Sequence, residues 1–284
     1  YFKERRDDMK FVGSKQRLSK ELVPIIQSVI DTTIPKSYVE PFVGGANIID
    51  KIEYHSTYGY DINPYLIAMW KALQEGWKIP DRPTREEYWD VKENKDKFPP
   101  EWVAIVGFVS TYNAKWFDGY AKVTKTKTGK IRDYYDEGKR NIERQVPDIK
   151  DVIFKHANFK NLHFNNCVIY CDPPYITAKT RKDLYGEEFN HTVYYDWVRE
   201  QSKDNIILCS EYQMPEDFIC IYEKGLNLHF DNRQKDKRTE RLFIHESRAV
   251  KCPKCKSYLM PSYIQGYQSC CMNCDEDFGF NWFK

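Results

Sequence analysis

The chain has 284 residues, enough for one large α/β domain and a small second one, and its 41% of hydrophobic residues can supply a core. A formal charge of only +2 means that any affinity for nucleic acid must come from local basic patches rather than from the whole-molecule field. No stretch approaches the ~20 apolar residues that a membrane span needs, and the start shows no signal-peptide pattern, so we expect an intracellular protein without membrane association.

The first predicted element is a helix that follows the turn Phe11-Val12-Gly13-Ser14-Lys15. Apolar residues recur at helical spacing after this turn and predict a helix to about Asp31. Backbone N–H groups and a lysine at the start of a helix can hold a polar ligand. Taken alone, the segment is more simply interpreted as an ordinary surface turn.

Residues 37–47 are predicted to form a strand and then a glycine turn that leads into a helix. Gly44 and Gly45 would let the backbone approach a cofactor closely. A second strand, residues 58–61, ends on Asp61. This acid stands about twenty residues past the start of the turn, where nucleoside-binding folds place an acid on the ribose hydroxyls. Together, the turn and the acid favour a nucleoside cofactor over a plain βαβ unit.

The next helix is predicted between Asn63, which caps it, and Gly76, which ends it, with Pro64 at the first helical position. Its apolar face consists of Leu66, Ile67, Trp70 and Leu73. A loop rich in charge and proline follows. It leads to a helix on which one face is formed by Trp102, Ile105, Val106 and Val109.

Basic and aromatic residues crowd the segment after this helix. Beside a site for a nucleobase, such a segment is typical of a DNA-contacting region. A solvated, lysine-rich hairpin is the alternative interpretation. The candidate DNA contacts in this segment are Asn113, Lys115, Trp116, Lys122, Lys125, Lys127, Lys130 and Arg132.

A strand predicted at 152–154 precedes the most informative residues of the chain, Asp172-Pro173-Pro174-Tyr175. The apolar run 168–171 before them predicts a short buried strand, which two prolines end because neither can donate to a strand ladder. This arrangement puts an acid, a rigid bend and an aromatic ring at the carboxyl end of a strand. Open α/β sheets bind their ligands at that place.

The tetrapeptide suits the alkylation of an exocyclic amino group of a nucleobase. The lone pair of that amine is delocalised into the ring, so the nitrogen is a poor nucleophile. Asp172 and the Pro173 carbonyl can accept its hydrogens and favour a tetrahedral nitrogen. Tyr175 offers a face on which a flipped base can stack, worth roughly 1–3 kcal/mol. The alternative is a Pro-Pro turn whose tyrosine packs in the core.

Beyond the tetrapeptide, we predict a substrate-facing polar loop at 177–190, a helix at 191–202 and a buried strand at 205–209. Antiparallel strands are predicted at 218–222, 226–230 and 241–245. The loop 231–240 carries basic residues that can grip phosphate, although a solvated turn explains them as well. The candidate phosphate contacts in this loop are Arg233, Lys235, Lys237 and Arg238.

The C-terminal segment carries two pairs of cysteines, Cys252 with Cys255 and Cys271 with Cys274, separated by fifteen residues. This spacing is typical of a four-cysteine zinc ribbon, in which each pair presents two thiolates to one tetrahedral ion. A unit of roughly thirty residues has too small a core to fold without such a site. We therefore predict one structural zinc ion. Cys270 is not a ligand, because only Cys271 has the two-residue spacing to Cys274.

With these motifs in their order, the sequence resembles the DNA adenine methylase family and its phage-type members, which belong to the alpha group of amino-methylating DNA methyltransferases. The resemblance implies an α/β S-adenosylmethionine-dependent methyltransferase (Rossmann-like) sheet with an inserted target-recognition region. It also implies methylation of adenine N6 in double-stranded DNA, by base flipping and direct in-line transfer, in the cytoplasm of a bacterium or a phage-infected host. The segments that carry it, within residues 9–247, are Phe11–Lys15, Glu40–Gly45, Asp61–Asn63, Asp172–Tyr175, Ser210–Pro215 and Arg238–Phe243.

The resemblance implies a role for each matched residue. Asp172, Pro173, Pro174 and Tyr175 are the catalytic motif. The family usually has an acid where this chain has Asn158, whose amide can still hydrogen-bond the adenine of the cofactor. The implied S-adenosylmethionine contacts are Phe11, Gly13, Lys15, Glu40, Phe42, Gly44, Gly45, Asp61, Asn158, Phe159 and Asp172.

The same resemblance divides the chain into four parts. Residues 1–75 are the cofactor-binding half of the core, 76–150 the target-recognition insert and 151–248 the catalytic half. The small C-terminal zinc ribbon, 249–284, does not belong to the family core and is inferred from its cysteines alone. The sequence does not identify a protein partner.

Two other functions stay open at this point. N4-cytosine methylation uses the same geometry, but the family's cytosine enzymes more often have serine at the position of Asp172, which favours adenine. A catalytically silent, nucleic-acid-binding homologue would show damage at Lys15, Gly44, Asp61 or Asp172, and these residues are intact. RNA also stays open as a substrate, because the sequence does not report duplex geometry.

Overall fold

The computed structural model describes residues 8–11, 13–125, 128–129, 131–175, 188–230, 234–262 and 268–284, and at 113, 226–230 and 234–238 it describes the backbone alone. The described chain divides into two compact units. The first holds the described residues up to Pro24 together with Pro41–Phe159. The second holds Ile25–Glu40 and the described residues from Lys160 to Lys284. Within these residues, no helix has the length and apolar composition to cross a membrane.

Helices and strands are numbered in chain order. The helices are α1 Ser19–Thr33, α2 Pro64–Gln74, α3 Arg85–Glu93, α4 Pro100–Ala104, α5 Tyr134–Gln145 and α6 His191–Gln201. The strands are β1 Ser37–Glu40, β2 Thr57–Asp61, β3 Thr124–Lys125, β4 Ile131–Arg132, β5 Ile153–His156, β6 Cys167–Cys171, β7 Ile206–Glu211, β8 Phe218–Phe230, β9 Gln234–His245, β10 Met260–Pro261, β11 Ser269–Cys271 and β12 Glu276–Phe278.

The first unit is built around the parallel pair of β2 and β5, in which Asp61 lies opposite His156. Helix α2 packs against both strands. Its buried face includes Leu66, Ile67 and Trp70, as the helical spacing predicts. This layer of helix on parallel strands brings the carboxyl ends of β2 and β5 to one edge.

Helix α2 begins and ends where its local sequence predicts. The side chain of Asn63 accepts hydrogen bonds from the N–H groups of Tyr65 and Leu66, and Pro64 occupies the first turn. After the last turn, Gly76 takes a φ of +90°, a conformation that glycine adopts without strain. The capping residues therefore determine both ends.

The second unit contains a sheet with the strand order β1-β6-β7-β9-β8. Strands β1, β6 and β7 are parallel, and β9 and β8 are antiparallel to their neighbours. All residues of β6 are buried, as expected for the apolar run before Asp172. Parallel strands combined with covering helices confirm the predicted α/β class.

A long hairpin of β8 and β9 replaces the three short strands predicted at 218–245. The pairing continues without a break past Gly225, which lies opposite Thr239. Opposite charges face each other beside it, Lys224 opposite Glu240 and Glu223 opposite Arg241, and such cross-strand pairs stabilise a sheet. The prediction of a loop at 231–240 was wrong for 234–240, which belong to β9.

The glycine turn is followed by a three-residue 3-10 helix, Ile49–Lys51, and not by the full helix predicted there. Ala46 has a φ of +55°, and its N–H donates to the carbonyl of Val43 at 2.8 Å. This tight turn leaves the chain outside the α-helical region directly before the expected helix.

The prediction of a loop between Gly76 and the helix at 102 was wrong for Arg85–Glu93, which form α3 behind a Thr84 capping box. The other predicted helix and strand bounds agree with the structure to within about two residues.

The predicted helix at 102–109 is α-helical only to Ala104 and continues as a π-helix, Ile105–Val109. The π-helical side chains are buried on every side rather than along one face. Gly107 explains part of this packing, because a Cβ at that position would overlap the ring of Trp116. The apolar spacing therefore identified a helix but underestimated how much of it is core.

The C-terminal segment forms a small antiparallel sheet, β10-β11-β12. The end of the chain returns to the start of this segment: the N–H of Val250 donates to the carbonyl of Trp282 at 3.0 Å, and the N–H of Lys284 to that of Arg248 at 2.8 Å. Trp282 and Phe283 are buried at this closure.

Candidate active site

The glycine turn of the first unit is in close contact with Phe11. Gly44 has a φ of +47°, in the left-handed region, and a Cβ there would lie 3.0 Å from the ring of Phe11. A Cβ at Gly45 would lie 2.9 Å from the Cβ of Phe11 and 2.7 Å from the side-chain nitrogen of Asn47. The turn therefore requires glycine at both positions, and it brings Phe11 from the N-terminal segment against the backbone.

Asp61, at the end of β2, is hydrogen-bonded to this turn. Its Oδ2 accepts from the N–H of Gly44 at 3.1 Å, and its Oδ1 accepts from the N–H of Asn63 at 2.9 Å. Burial raises the pKa of the carboxyl from 3.8 to about 6, against the lowering effect of these two N–H groups and of His156. A carboxylate accepts up to about four hydrogen bonds, so this one can still take hydroxyl groups of a ligand.

Two aromatic side chains lie together near the end of β5. The rings of Phe42 and Phe159 are 5.3 Å apart and tilted, and Phe159 is buried. The carbonyl of Ile62 accepts a hydrogen bond from Nε2 of His156 at 2.9 Å. Asn158 follows two residues later, so it lies beyond the carboxyl end of β5. A planar apolar group could pack against these rings while its polar edge meets an amide.

Lys15 lies on the turn before α1, as the motif predicts. Its ammonium is buried and donates to the carbonyl of Gly13 at 3.1 Å. Gly13 has a φ of +82°, so the turn is left-handed at this point. The side chain of Ser14 accepts from the N–H of Gln16 and starts the short 3-10 helix Lys15–Arg17.

In the second unit, two acids stand at the carboxyl ends of neighbouring parallel strands. Glu40 is the last residue of β1, and Asp172 directly follows β6, its partner strand. Glu40 is buried and accepts a hydrogen bond of 2.7 Å from the hydroxyl of Tyr38. Burial raises the pKa of Tyr170 well above 10, and the charge of Asp172 raises it further. Tyr170 in turn contacts the hydroxyl of Ser210 at 2.8 Å.

Three side chains from other elements hold the residues after Asp172. The hydroxyl of Tyr175 donates to Oε2 of Glu240 at 2.7 Å. Its ring meets that of Tyr212 edge-on at 4.6 Å between centroids, and Tyr175 is only 8% exposed. The carbonyl of Pro174 accepts from Nε2 of His191, the first residue of α6, at 3.0 Å. These contacts therefore hold both Pro174 and Tyr175 in place after Asp172.

Sequence reasoning did not assign these supporting residues to the site. Glu240 and Tyr212 fall within segments that carry the family resemblance, but nothing in their local pattern indicates a contact with Tyr175. His191 was interpreted only as the start of a helix. No local signal was available for Glu240 either, because the sequence places it at the end of the predicted loop 231–240.

The basic segment of the insert forms the β3–β4 hairpin. Lys125 and Arg132 are exposed on it, and Lys122 is exposed two residues before β3. The guanidinium of Arg132 donates to both carboxylate oxygens of Glu137, at 2.9 and 3.0 Å, and lies 4.7 Å from the ring centre of Tyr134. A hairpin with exposed cations is a surface that backbone phosphates can contact.

Trp116 does not lie on this surface. It is 4% exposed and packs in the core, 4.6 Å from the ring of Phe108 and directly over Gly107. We therefore remove it from the candidate DNA contacts, because a buried indole cannot reach a base without unpacking the π-helix. Its neighbour Lys115 is exposed, with Asp118 at 3.4 Å.

Seven further candidate contacts have no described side chain. The candidates outside the described residues are Lys127, Lys130 and Arg233. The candidates with backbone alone are Asn113, Lys235, Lys237 and Arg238. The substrate-facing loop predicted at 177–190 also lies outside the described residues, apart from 188–190.

Four cysteines of the C-terminal segment form one cluster. Their sulfur atoms all lie within 4.8 Å of one another, with 3.5 Å between Cys255 and Cys271 and 4.0 Å between Cys252 and Cys274. A tetrahedron of sulfurs at about 2.3 Å from a zinc ion has edges of about 3.8 Å. Cys270 points elsewhere, with its sulfur 3.6 Å from the carbonyl of Pro261. The donor set and its spacing therefore fit one zinc ion.

The sequence of this chain matches one protein family and resembles several known proteins. Residues 11–214 match the family described as D12 class N6 adenine-specific DNA methyltransferases. The chain is 25% identical over 200 residues to the type II methyltransferase M.FokI of Planomicrobium okeanokoites, covering 60% of this chain and 29% of that protein. It is 22% identical over 197 residues to a DNA adenine methylase of Vibrio cholerae serotype O1, covering 63% and 68%. The match thus spans under a third of the first relative's length.

Solved structures give more distant likenesses. A putative class I S-adenosylmethionine-dependent methyltransferase from Listeria monocytogenes has a TM-score of 0.38 and 11% identity, over 89% of this chain and 65% of that one. The rRNA methyltransferase AviRa from Streptomyces viridochromogenes has a TM-score of 0.32 and 7% identity, over 79% and 85%.

Proposed function

Because the chain belongs to the D12 class of N6 adenine-specific DNA methyltransferases, we propose that it transfers a methyl group from S-adenosylmethionine to N6 of adenine in double-stranded DNA. The observation that carries the proposal is the position of Asp172–Tyr175 at the carboxyl end of the buried strand β6, next to the strand that ends on Glu40. Ligands of open α/β sheets bind at such ends.

The residues of the first unit fit S-adenosylmethionine. Gly44 and Gly45 keep side chains out of the turn, and Asp61, bonded to that turn, can accept ribose hydroxyls. When bound, the cofactor supplies a methyl group on a positively charged sulfur. The proposed contacts in the first unit are Phe11, Gly13, Lys15, Phe42, Gly44, Gly45, Asp61, Asn158 and Phe159. Those in the second unit are Glu40 and Asp172.

The second unit carries the groups that would act on the target base. Asp172 and the Pro173 carbonyl accept the two N6 hydrogens and so favour a tetrahedral nitrogen. Asp172 serves as an acceptor rather than a strong base, so no proton leaves the amine before transfer. The methylated nitrogen would then lose one proton, through Asp172 to water, with S-adenosylhomocysteine as the leaving group. Tyr175 stacks on the flipped base. Because its ring is 8% exposed, this stacking requires neighbouring groups to move.

The exposed cations of the insert are the proposed DNA contacts. Lys115, Lys122, Lys125 and Arg132 stand on the surface of the first unit. They would bind backbone phosphate and make affinity depend on salt. This assignment keeps the division into 1–75, 76–150, 151–248 and 249–284, with the insert as the part that recognises the target.

The cysteine cluster is the proposed site of one structural zinc ion. Its ligands are Cys252, Cys255, Cys271 and Cys274, and all four positions of a tetrahedron are filled by protein. A site closed in this way stabilises a fold and has no open position for catalysis. Zinc would therefore hold the β10–β12 sheet and leave methyl transfer to the other residues.

A single labelling experiment tests the function. Purified protein is incubated with S-adenosylmethionine labelled in its methyl group and with unmethylated plasmid DNA, and the DNA is then digested to nucleosides. The expected product is labelled N6-methyladenine, absent with Asp172→Ala. A parallel incubation with RNA compares the two nucleic acids.

Each other outcome contradicts the proposal in a different way. Label in N4-methylcytosine would assign the enzyme to the cytosine class. Label in RNA alone would replace the substrate. Cofactor binding without transfer to any nucleic acid would favour a catalytically silent, nucleic-acid-binding homologue.

A further inference from the structure

Gln145 is a buried amide at the end of the insert that makes four hydrogen bonds, two of them to the glycine turn. It is the last residue of α5 and is 2% exposed. Its Nε2 donates to the carbonyls of Gly45 and Ala46 at 3.0 and 3.1 Å and to Oδ2 of Asp50 at 3.1 Å. Its Oε1 accepts from the N–H of Met9 at 3.1 Å.

The side chain of Gln145 has more hydrogen-bond acceptors around it than its amide hydrogens can satisfy singly. An amide nitrogen has two hydrogens, so three acceptors must share them. The side chain is therefore held at a point where two consecutive turn carbonyls and a carboxylate converge. Two of its partners, Gly45 and Ala46, directly follow Gly44, whose N–H donates to Asp61.

The fourth hydrogen bond, from the N–H of Met9, holds the N-terminal segment that packs on the glycine turn. Met9 lies two residues before Phe11, the ring that packs against Gly44 and Gly45. The carbonyl of Met9 accepts from the side chain of Asn47 at 3.1 Å. Gln145 thus joins the N-terminal segment to the glycine turn, and both segments carry proposed cofactor contacts.

We propose that Gln145 is a positioning residue for the cofactor, which holds the glycine turn and the Phe11 segment in the geometry that S-adenosylmethionine requires. The inference rests on the proposed function, because it takes the glycine turn as the cofactor site. Gln145 touches neither the cofactor nor the base in this assignment. It acts through the backbone of Gly45, Ala46 and Met9.

The test compares two glutamine-to-methionine variants. Gln145→Met keeps the length of the side chain and removes all four hydrogen bonds. Gln74→Met is the matched control, since Gln74 also donates to main-chain carbonyls, those of Ile149 and Val152 at 2.6 and 2.8 Å, and these carbonyls lie outside the glycine turn. For each variant, the Kd of S-adenosylhomocysteine, the KM of S-adenosylmethionine and kcat at saturating cofactor are measured, with urea unfolding to correct for any unfolded fraction.

We expect Gln145→Met to raise Kd and KM about tenfold or more, with kcat at saturation changed by less than about threefold. Gln74→Met should also lower the free energy of unfolding, while its KM stays within about twofold. An unchanged KM in folded Gln145→Met, or an equal increase in both variants, would overturn the inference. If the parent protein binds no cofactor at all, the proposed function itself fails.

A second variant keeps the test decisive if Gln145→Met does not fold. In Gln145→Glu, a carboxylate replaces the donor, and it faces Asp50 with Lys51, Asp8 and Asp148 around it. When protonated, the new carboxyl again has a donor and an acceptor. Cofactor affinity relative to the parent should therefore recover as the pH falls from 8 to 6. A ratio that does not change with pH would contradict a positioning role for the donated hydrogen bonds.

Discussion

The hydroxyl of Tyr175 donates a hydrogen bond of 2.7 Å to Oε2 of Glu240, 65 residues further along the chain, and both residues are buried. This bond ties the last residue of the proposed catalytic motif to β9. Burial raises the pKa of Tyr175 well above 10, and the charges of Asp172 and Glu240 raise it further. The phenol therefore stays protonated and acts as the donor.

Tyr175→Phe should lower the free energy of unfolding by about 1–3 kcal/mol, because the buried carboxylate of Glu240 loses its donor. Turnover by the folded fraction should largely persist, since stacking on a base needs the ring and not the hydroxyl. Urea unfolding and initial rates on one DNA substrate measure the two effects. Glu240→Gln is the control, because its amide oxygen still accepts the hydrogen bond and should cost less. Equal stability of Tyr175→Phe and the parent would contradict this account.

Asp61→Ala should weaken cofactor binding by about 1–3 kcal/mol, since the ribose hydroxyls and the N–H of Gly44 both lose an acceptor. Asp61→Asn keeps one acceptor oxygen and should lose less. Calorimetric titration with S-adenosylhomocysteine measures both variants. If Asp61→Ala binds as tightly as the parent, the ribose assignment is wrong.

Asp50 should make the protein less stable as the pH rises from about 4 to 7. Burial raises the pKa of Asp50 from 3.8 to about 7, although Lys51 at 2.8 Å opposes this shift. Between these two values the folded state binds more protons than the unfolded state, so the free energy of unfolding falls with rising pH, and the loss is complete above 7. Asp50→Asn should abolish this pH dependence, which changes the free energy of unfolding by on the order of a few kcal/mol across the range.

The measurement is urea unfolding of the parent and Asp50→Asn at a series of pH values from 4.5 to 7.5. The two stability curves should diverge at the acidic end, where the parent gains stability and the variant does not. Parallel curves would mean that Asp50 titrates near its ordinary pKa.

Metal analysis should find one zinc ion per chain, bound through sulfurs at about 2.3 Å. Cys271→Ser should lose zinc and lower the melting temperature of the C-terminal segment. Cys270→Ser is a closely matched control, because this neighbouring thiol faces Pro261 and not the cluster. A disulfide among the four cysteines, or a folded segment without zinc, would refute the site. Cofactor affinity should not change in either variant.

Lys122→Ala and Lys125→Ala should each weaken DNA binding and reduce the slope of log K against log salt by about 0.9 for every phosphate that the protein no longer neutralises. Lys20→Ala, which removes an exposed lysine from α1 outside the insert, should leave the slope unchanged. Fluorescence anisotropy at several salt concentrations measures the slopes. If all three variants keep the parent slope, the hairpin is only a solvated surface element.

Local signals in the sequence determined much of this protein. Both ends of α2 could be predicted from Asn63, Pro64 and Gly76, because capping residues act on backbone groups within a few residues. The apolar run before Asp172 predicted a buried strand, and the two cysteine pairs predicted a thiol cluster. The spacing between the glycine turn and Asp61 is typical of nucleoside-binding βαβ units and predicted that the two belong to one site. In the structure, Asp61 accepts a hydrogen bond from the N–H of Gly44. Each of these features depends on residues that lie close together in the chain.

The tertiary structure decided what depends on residues far apart. Trp116 was interpreted as a surface aromatic, but Gly107 admits its ring to the core. Gln145 and Glu240 look like ordinary polar residues in the sequence, yet each is buried with partners 65 to 136 positions away. Burial and hydrogen bonding of a polar side chain depend on which distant backbone folds over it, and a single sequence contains no local pattern for that.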